Sequence, residues 1–132
     1  MYFRSMTPEA DDLPTVGRSA RMLGVRMPED ISLDAGGHVL PGTGGMSVAP
    51  DSMWNLPNHR RPRGAGRGST GPVQDHVFSI VSAPLRENGL VARRDPEAPV
   101  VHALIEPMQT VLLEEFQRSL AATRPSWGRV WP

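Results

Sequence analysis

Four residues of this chain are of types, and in settings, that could do chemistry: Arg4, Ser47, His102 and Glu106. Arg4 stands in the short apolar and aromatic opening Met1–Met6. A guanidinium there can grip a phosphate or carboxylate through paired hydrogen bonds. The commoner occupation of a lone strand arginine is a solvated surface charge. Ser47 follows a glycine-dense turn, Pro41-Gly42-Thr43-Gly44-Gly45, and alternates with Met46 and Val48 if the segment is extended. Glycines 42, 44 and 45 permit positive φ and a close approach of backbone or ligand, so this is where a ligand could meet a sheet. The plainer reading of Thr43 and Ser47 is turn chemistry and sheet filling. His102 lies in the apolar run Pro99–Ile105, where a satisfied, half-buried histidine is commoner than a ligand contact. Glu106 could be a catalytic carboxylate, but the commoner reading is the cap or first turn of a following helix.

No established catalytic signature frames these residues. There is no P-loop, no GxGxxG opening a helix, no GxSxG and no HExxH, so an ordinary hydrolase or nucleotidase finds little support. The chain has no cysteine, and its histidines at 38, 59, 76 and 102 lack ligand spacing, so neither disulfides nor a metal site is expected. Formal net charge is zero, from 14 arginines against 14 acidic residues with no lysine at all, so no global field recruits nucleic acid or membrane. One local exception is His59–Gly71, with Arg60, Arg61, Arg63 and Arg67 among glycines. Arginine-glycine loops of this kind bind single-stranded nucleic acid, but no aromatic residue is interleaved, and an exposed, solvated loop is the plainer reading.

The elements that must position these residues are short. With 14 prolines and 13 glycines in 132 residues, the composition predicts one compact, loop-rich domain, residues 1–132, rather than a disordered chain. Met1–Met6 reads as a strand, and Thr7-Pro8 as the cap and first position of a helical turn that Pro14 ends. Val39–Leu40 and Met46–Ala49 read as short extended pieces, and Pro50-Asp51-Ser52 as the start of a helical turn towards Met53, Trp54 and Leu56. Val77–Val81 is the strongest strand signal. Asn88-Gly89 is a hairpin-type signal before a strand at Leu90–Ala92. Pro99–Ile105 is a second clear strand, and Glu106-Pro107 opens the one long helix, about Pro107 to Thr123. Trp127, Val130 and Trp131 are expected to fold back onto the domain. The order implies an α+β, sheet-dominated protein. No run approaches a membrane span, and residues 1–20 carry Glu9, Asp11 and Asp12 without an apolar stretch, so neither membrane insertion nor an ordinary secretory signal is expected and the expected location is cytoplasmic.

Several of these pieces occur together in one family. The opening Tyr2-Phe3-Arg4-Ser5-Met6 resembles the Tyr-Arg first strand of ADP-ribosyltransferase-like folds. Gly44-Gly45-Met46-Ser47-Val48 resembles the Gly-Gly-Thr-Ser-Val segment of small, cytoplasm-acting toxins delivered by the type VI secretion system. Val101–Pro107, followed by Phe116, Leu120, Arg124, Trp127 and Arg129, is similar to the closing strand and helix of that family. The resemblance implies an ADP-ribosyltransferase-like fold, with two small β-sheets facing each other across a cleft for NAD, short helices and one C-terminal helix. Carried over, Arg4 takes the NAD phosphate, Ser47 braces the nicotinamide side, and His102 is the polar residue of the late strand. Backbone amides at Gly44 and Gly45 meet the nicotinamide carboxamide. Met46 replaces the family threonine, and Glu106 is the nearest candidate for the glutamate of the classical transferases. The resemblance further implies NAD as substrate, ADP-ribosyl transfer or NAD cleavage, an intracellular target, delivery into another cell, and a cognate immunity protein. Two alternatives stand beside it: a catalytically silent protein-binding module on the same fold, and an RNA-associated protein using the Arg60–Arg67 loop.

Overall fold

The computed structural model describes residues 1–66 and 68–131; Arg67 of the arginine-glycine loop lies outside the described residues. Six strands form one antiparallel sheet. In chain order they are β1 (Tyr2–Met6), β3 (Met46–Pro50), β4 (His76–Ile80), β5 (Leu90–Arg94), β6 (Ala103–Pro107) and β8 (Gly128–Trp131). Two two-residue strands, β2 (His38–Val39) and β7 (Val111–Leu112), pair separately as a ribbon. Among the described residues two helices, α1 (Ser82–Glu87) and α2 (Leu113–Ala122), complete the α+β architecture with three short 3-10 turns.

The strand order is β5-β6-β3-β1-β4-β8, and β3 is the junction. Its first residues pair with β6, Ser47 opposite Leu104, while its last two pair with the start of β1, Phe3 opposite Ala49. The ladder between β1 and β3 stops there, whereas β1 pairs with β4 along its full length. The expected two separate sheets are therefore hydrogen-bonded halves of one sheet that part between β1 and β3. A buried core of Met6, Ile80, Leu85, Leu90, Ile105, Phe116, Leu120 and others holds both halves to α2. Phe116 and Leu120, one turn apart, form the apolar stripe of that helix. Trp127 folds back as expected, 2% exposed, with its indole N–H donating to Thr123 Oγ1 at 3.0 Å.

Several local expectations are corrected. Glu106 and Pro107 end a strand rather than open a helix: they pair opposite Val91 and Leu90, and α2 begins only at Leu113. Cross-strand pairing with β5 overrides the helix-opening signal of a Glu-Pro pair. Asn88-Gly89 is not a hairpin turn; Asn88 caps α1, and Gly89, at φ +72°, supplies the left-handed exit into β5. Thr7 caps no helix. Its hydroxyl donates to the buried Asp75 carboxylate, while Pro8 and Pro14 face each other in an isolated bridge. His102 precedes β6, since residues 99–101 form a turn. The helical turn after Ser52 is present, with the Ser52 hydroxyl accepting from the Trp54 amide. The 59–71 segment, expected as an exposed loop, is closed by Thr70 and Gly71 amides donating to the Asn58 and Arg61 carbonyls, and it buries Ala65.

Candidate active site

The gap between β1 and β3 is plugged by Arg4. Its Nη1 donates to the Ser47 carbonyl at 2.7 Å, its Nε and Nη2 to the Met22 carbonyl at 3.1 and 2.9 Å, and Nη2 also to the Ser19 carbonyl at 3.4 Å. The guanidinium thus ties the 19–22 turn to β3 and has no carboxylate partner among the described residues. Arg4 is 6% exposed, and burial pushes its pKa down to about 10, with Asp30 opposing that shift and the nearby Arg60 and Arg26 adding to it. Four of its five donors are engaged by carbonyls, which leaves one N–H of Nη1 for a ligand.

A cleft of about 610 Å³ opens beside this arginine. That is within the range of small-molecule and cofactor sites. Arg4, Ser47 and His102 all line it, so three of the four candidate side chains come together. His102 Nε2 lies 3.1 Å from Ser47 Oγ, and its Nδ1 lies 2.9 Å from Asp95 Oδ2. A carboxylate can only accept, so Nδ1 carries the ring proton; in the neutral ring Nε2 then accepts from the Ser47 hydroxyl. Asp95 is itself fixed. Its other oxygen accepts the Glu97 amide at 2.9 Å, and its own amide donates to the His102 carbonyl at 3.0 Å. The His102 ring, followed by the Glu97 amide, holds the Asp95 carboxyl below the usual carboxylate range. Sequence reasoning missed Asp95. The signal available was an Asp-Pro-Glu turn, the sort in which an aspartate accepts the amide two residues on.

Glu106 is not part of this group. Its carboxylate is 5% exposed, accepts the Gly42 amide at 2.9 Å and sits 3.2 Å from Arg93 Nε, outside the cleft lining. The catalytic expectation for Glu106 is replaced by a bracing one: it ties the glycine turn to β6. Gly44 and Gly45 are outside the cleft lining as well. The Gly45 amide donates to the Asp30 carbonyl at 3.1 Å and is not offered to a ligand. A Cβ on Gly44 would collide with the Asp30 carbonyl, and one on Gly45 with the Ile105 carbonyl, so close backbone packing explains both glycines.

Trp54 stands half exposed at the cleft mouth, edge-on to Trp131 at 6.4 Å, with the Arg61 guanidinium 5.7 Å from its ring centre. Among the described residues of the arginine loop, Arg61 engages an aromatic ring by a cation–π contact. Among the described residues no helix is long and apolar enough to cross a membrane, and no three His, Asp or Glu side chains gather as a metal set. Comparison of the chain with known protein families, characterised proteins and solved structures finds no match.

Proposed function

We propose that the cleft binds NAD and breaks its nicotinamide–ribose bond, passing ADP-ribose to an acceptor on an intracellular target or to water. The observation that carries this reading is that Ser47 and His102, the latter held from behind by Asp95, line one cleft with Arg4. The resemblance to ADP-ribosyltransferase-like secreted toxins, and the parting of the sheet beside Arg4, support it further. In the reaction the C–N bond to ribose C1′ breaks and its electron pair leaves with neutral nicotinamide. An acceptor O–H then bonds C1′ and gives up its proton. His102 Nε2, held as an acceptor by Asp95, is placed to take that proton directly or through Ser47. The imidazolium so formed is stabilised by the Asp95 carboxylate. On this reading a cognate immunity protein would act by covering the cleft mouth at Trp54.

The test is nicotinamide release from NAD by the purified protein, with Ser47→Ala and His102→Ala beside it. Release by the wild type, reduced about 10²-fold or more in either variant, supports the reading. Absence of release, or full release by both variants, rejects it.

A second reading is favoured by the same three residues. A hydroxyl, a base within hydrogen-bond reach and a carboxylate orienting that base are the parts of an activated serine nucleophile. A fluorophosphonate probe should then label Ser47 in the wild type and fail in His102→Ala. Labelling without NAD consumption selects the serine nucleophile, and neither result leaves the silent binding module.

A further inference from the structure

Three arginines line the cleft, Arg4, Arg26 and Arg60, against one carboxylate, Asp30. Arg26 is committed to that carboxylate, through its amide at 2.7 Å and its guanidinium at 3.1 Å. Arg4 is largely committed to carbonyls, with one N–H remaining. Arg60 is different. Among the described residues its side chain has no hydrogen-bond or ion-pair partner, and its backbone amide donates to the Pro57 carbonyl. It is nonetheless close enough to the buried Arg4 for the two cations to repel. Beside Arg4 in the wall, Ser5 is 3% exposed, and its hydroxyl has no partner. An unsatisfied buried hydroxyl, a spare N–H on the buried Arg4 and a half-buried, unpaired second guanidinium line one cleft, and the hydroxyl in particular is costly without a partner. A doubly charged anion would satisfy all three. A single carboxylate would leave one of the two surplus positive charges uncompensated.

We infer that Arg60, with Ser5 and the spare N–H of Arg4, forms a subsite for a pyrophosphate-class anion, Arg60 supplying the main charge contact. The inference rests on the NAD reading of the cleft and names which side chain of this chain holds the bridging phosphates. Arg4 then acts chiefly as the clamp that ties the 19–22 turn to β3, because four of its five donors are already used. The unpaired Arg60 can turn its planar fork to two phosphate oxygens at once.

Calorimetric titration at low salt with inorganic pyrophosphate, ADP-ribose and NAD tests this. Wild type binds pyrophosphate and ADP-ribose. Arg60→Gln weakens both by about 10- to 100-fold, the loss expected for a charge-assisted hydrogen bond, and Arg60→Lys recovers part of it. Ser5→Ala weakens both by a smaller factor, about 2- to 10-fold. Thermal melts accompany each variant, and Arg60→Gln should melt like the wild type because its side chain braces nothing. Equal affinity in wild type and Arg60→Gln, or no binding of pyrophosphate or ADP-ribose by the wild type, overturns the subsite. NAD cleaved normally by Arg60→Gln overturns the subsite while leaving the NAD reading intact. Pyrophosphate bound through Arg60 without any NAD turnover keeps the subsite and removes the NAD reading.

Discussion

Asp95 decides what His102 can do. Without the carboxylate the ring is free to turn and to carry its proton on the nitrogen facing Ser47, which would abolish the acceptor there. Asp95→Asn should therefore lower turnover by about 10- to 10³-fold while far-ultraviolet circular dichroism stays unchanged; full activity in that variant would remove the relay. The same residue gives a pH signature. Asp95 titrates below its unfolded value, so its contribution to stability is fully present above the ordinary carboxylate range, about pH 4, and is lost as pH falls through the lowered folded value. The stability difference between wild type and Asp95→Asn should be largest at neutral pH and close on acidification, as read by urea unfolding at several pH values. A difference that does not change with pH would contradict this origin. Glu106 makes the opposite case. It braces the Gly42 turn and lies outside the cleft, so Glu106→Ala should cost about 1–3 kcal/mol in urea unfolding and leave turnover near wild type under conditions where it stays folded. Arg4, Ser47 and His102 were legible as single residues because each type is unusual in its setting. Glu106 misled because a Glu-Pro pair after an apolar run reads the same whether it starts a helix or ends a strand.

The element on which the site depends is β3, pairing with β6 by one end and β1 by the other. Gly45 sits where that strand begins, against the Ile105 carbonyl, with no room for a side chain. Gly45→Ala should lower stability by about 2–3 kcal/mol and disturb the Ser47–His102 contact; unchanged stability would mean that β3 can slide away from β6. Strands β1, β4 and β6 were largely legible from apolar and β-branched runs, as was the Trp54 turn from its Ser52 cap. Of the two-residue ribbon, β2 was read one residue along, as an extended piece at Val39–Leu40, while β7 was absorbed into the expected helix from Pro107, because each piece carries too few residues to show a period. Asn88-Gly89 misled for a related reason. An Asn followed by a positive-φ glycine serves a hairpin and a helix exit equally well, and only the preceding helix at Ser82–Glu87 separates them.

For the molecule as a whole, the core beneath the sheet is small and shared by both halves. Phe116, fully buried from α2, joins that core, so Phe116→Ala should cost about 3–5 kcal/mol in urea unfolding. A cost under about 1 kcal/mol would mean that the core is organised without α2. Close to its net charge of zero, the protein has little overall pull on polyanions; the positive potential that matters is local to the cleft, where the arginines outnumber the acid.

By itself the sequence determined the α+β class, the principal strands, and the presence of a hydroxyl, an imidazole and a strand arginine in unusual settings. Those features are local: a period of two, or the type of one side chain. The tertiary structure alone decided that Ser47 and His102, 55 residues apart, share a hydrogen bond, that Asp95 orients the ring, and that Arg4 spends four of its five donors on carbonyls. Such relations depend on strand register and on where ladders end. No local pattern encodes either, because both follow from how all the strands pack together.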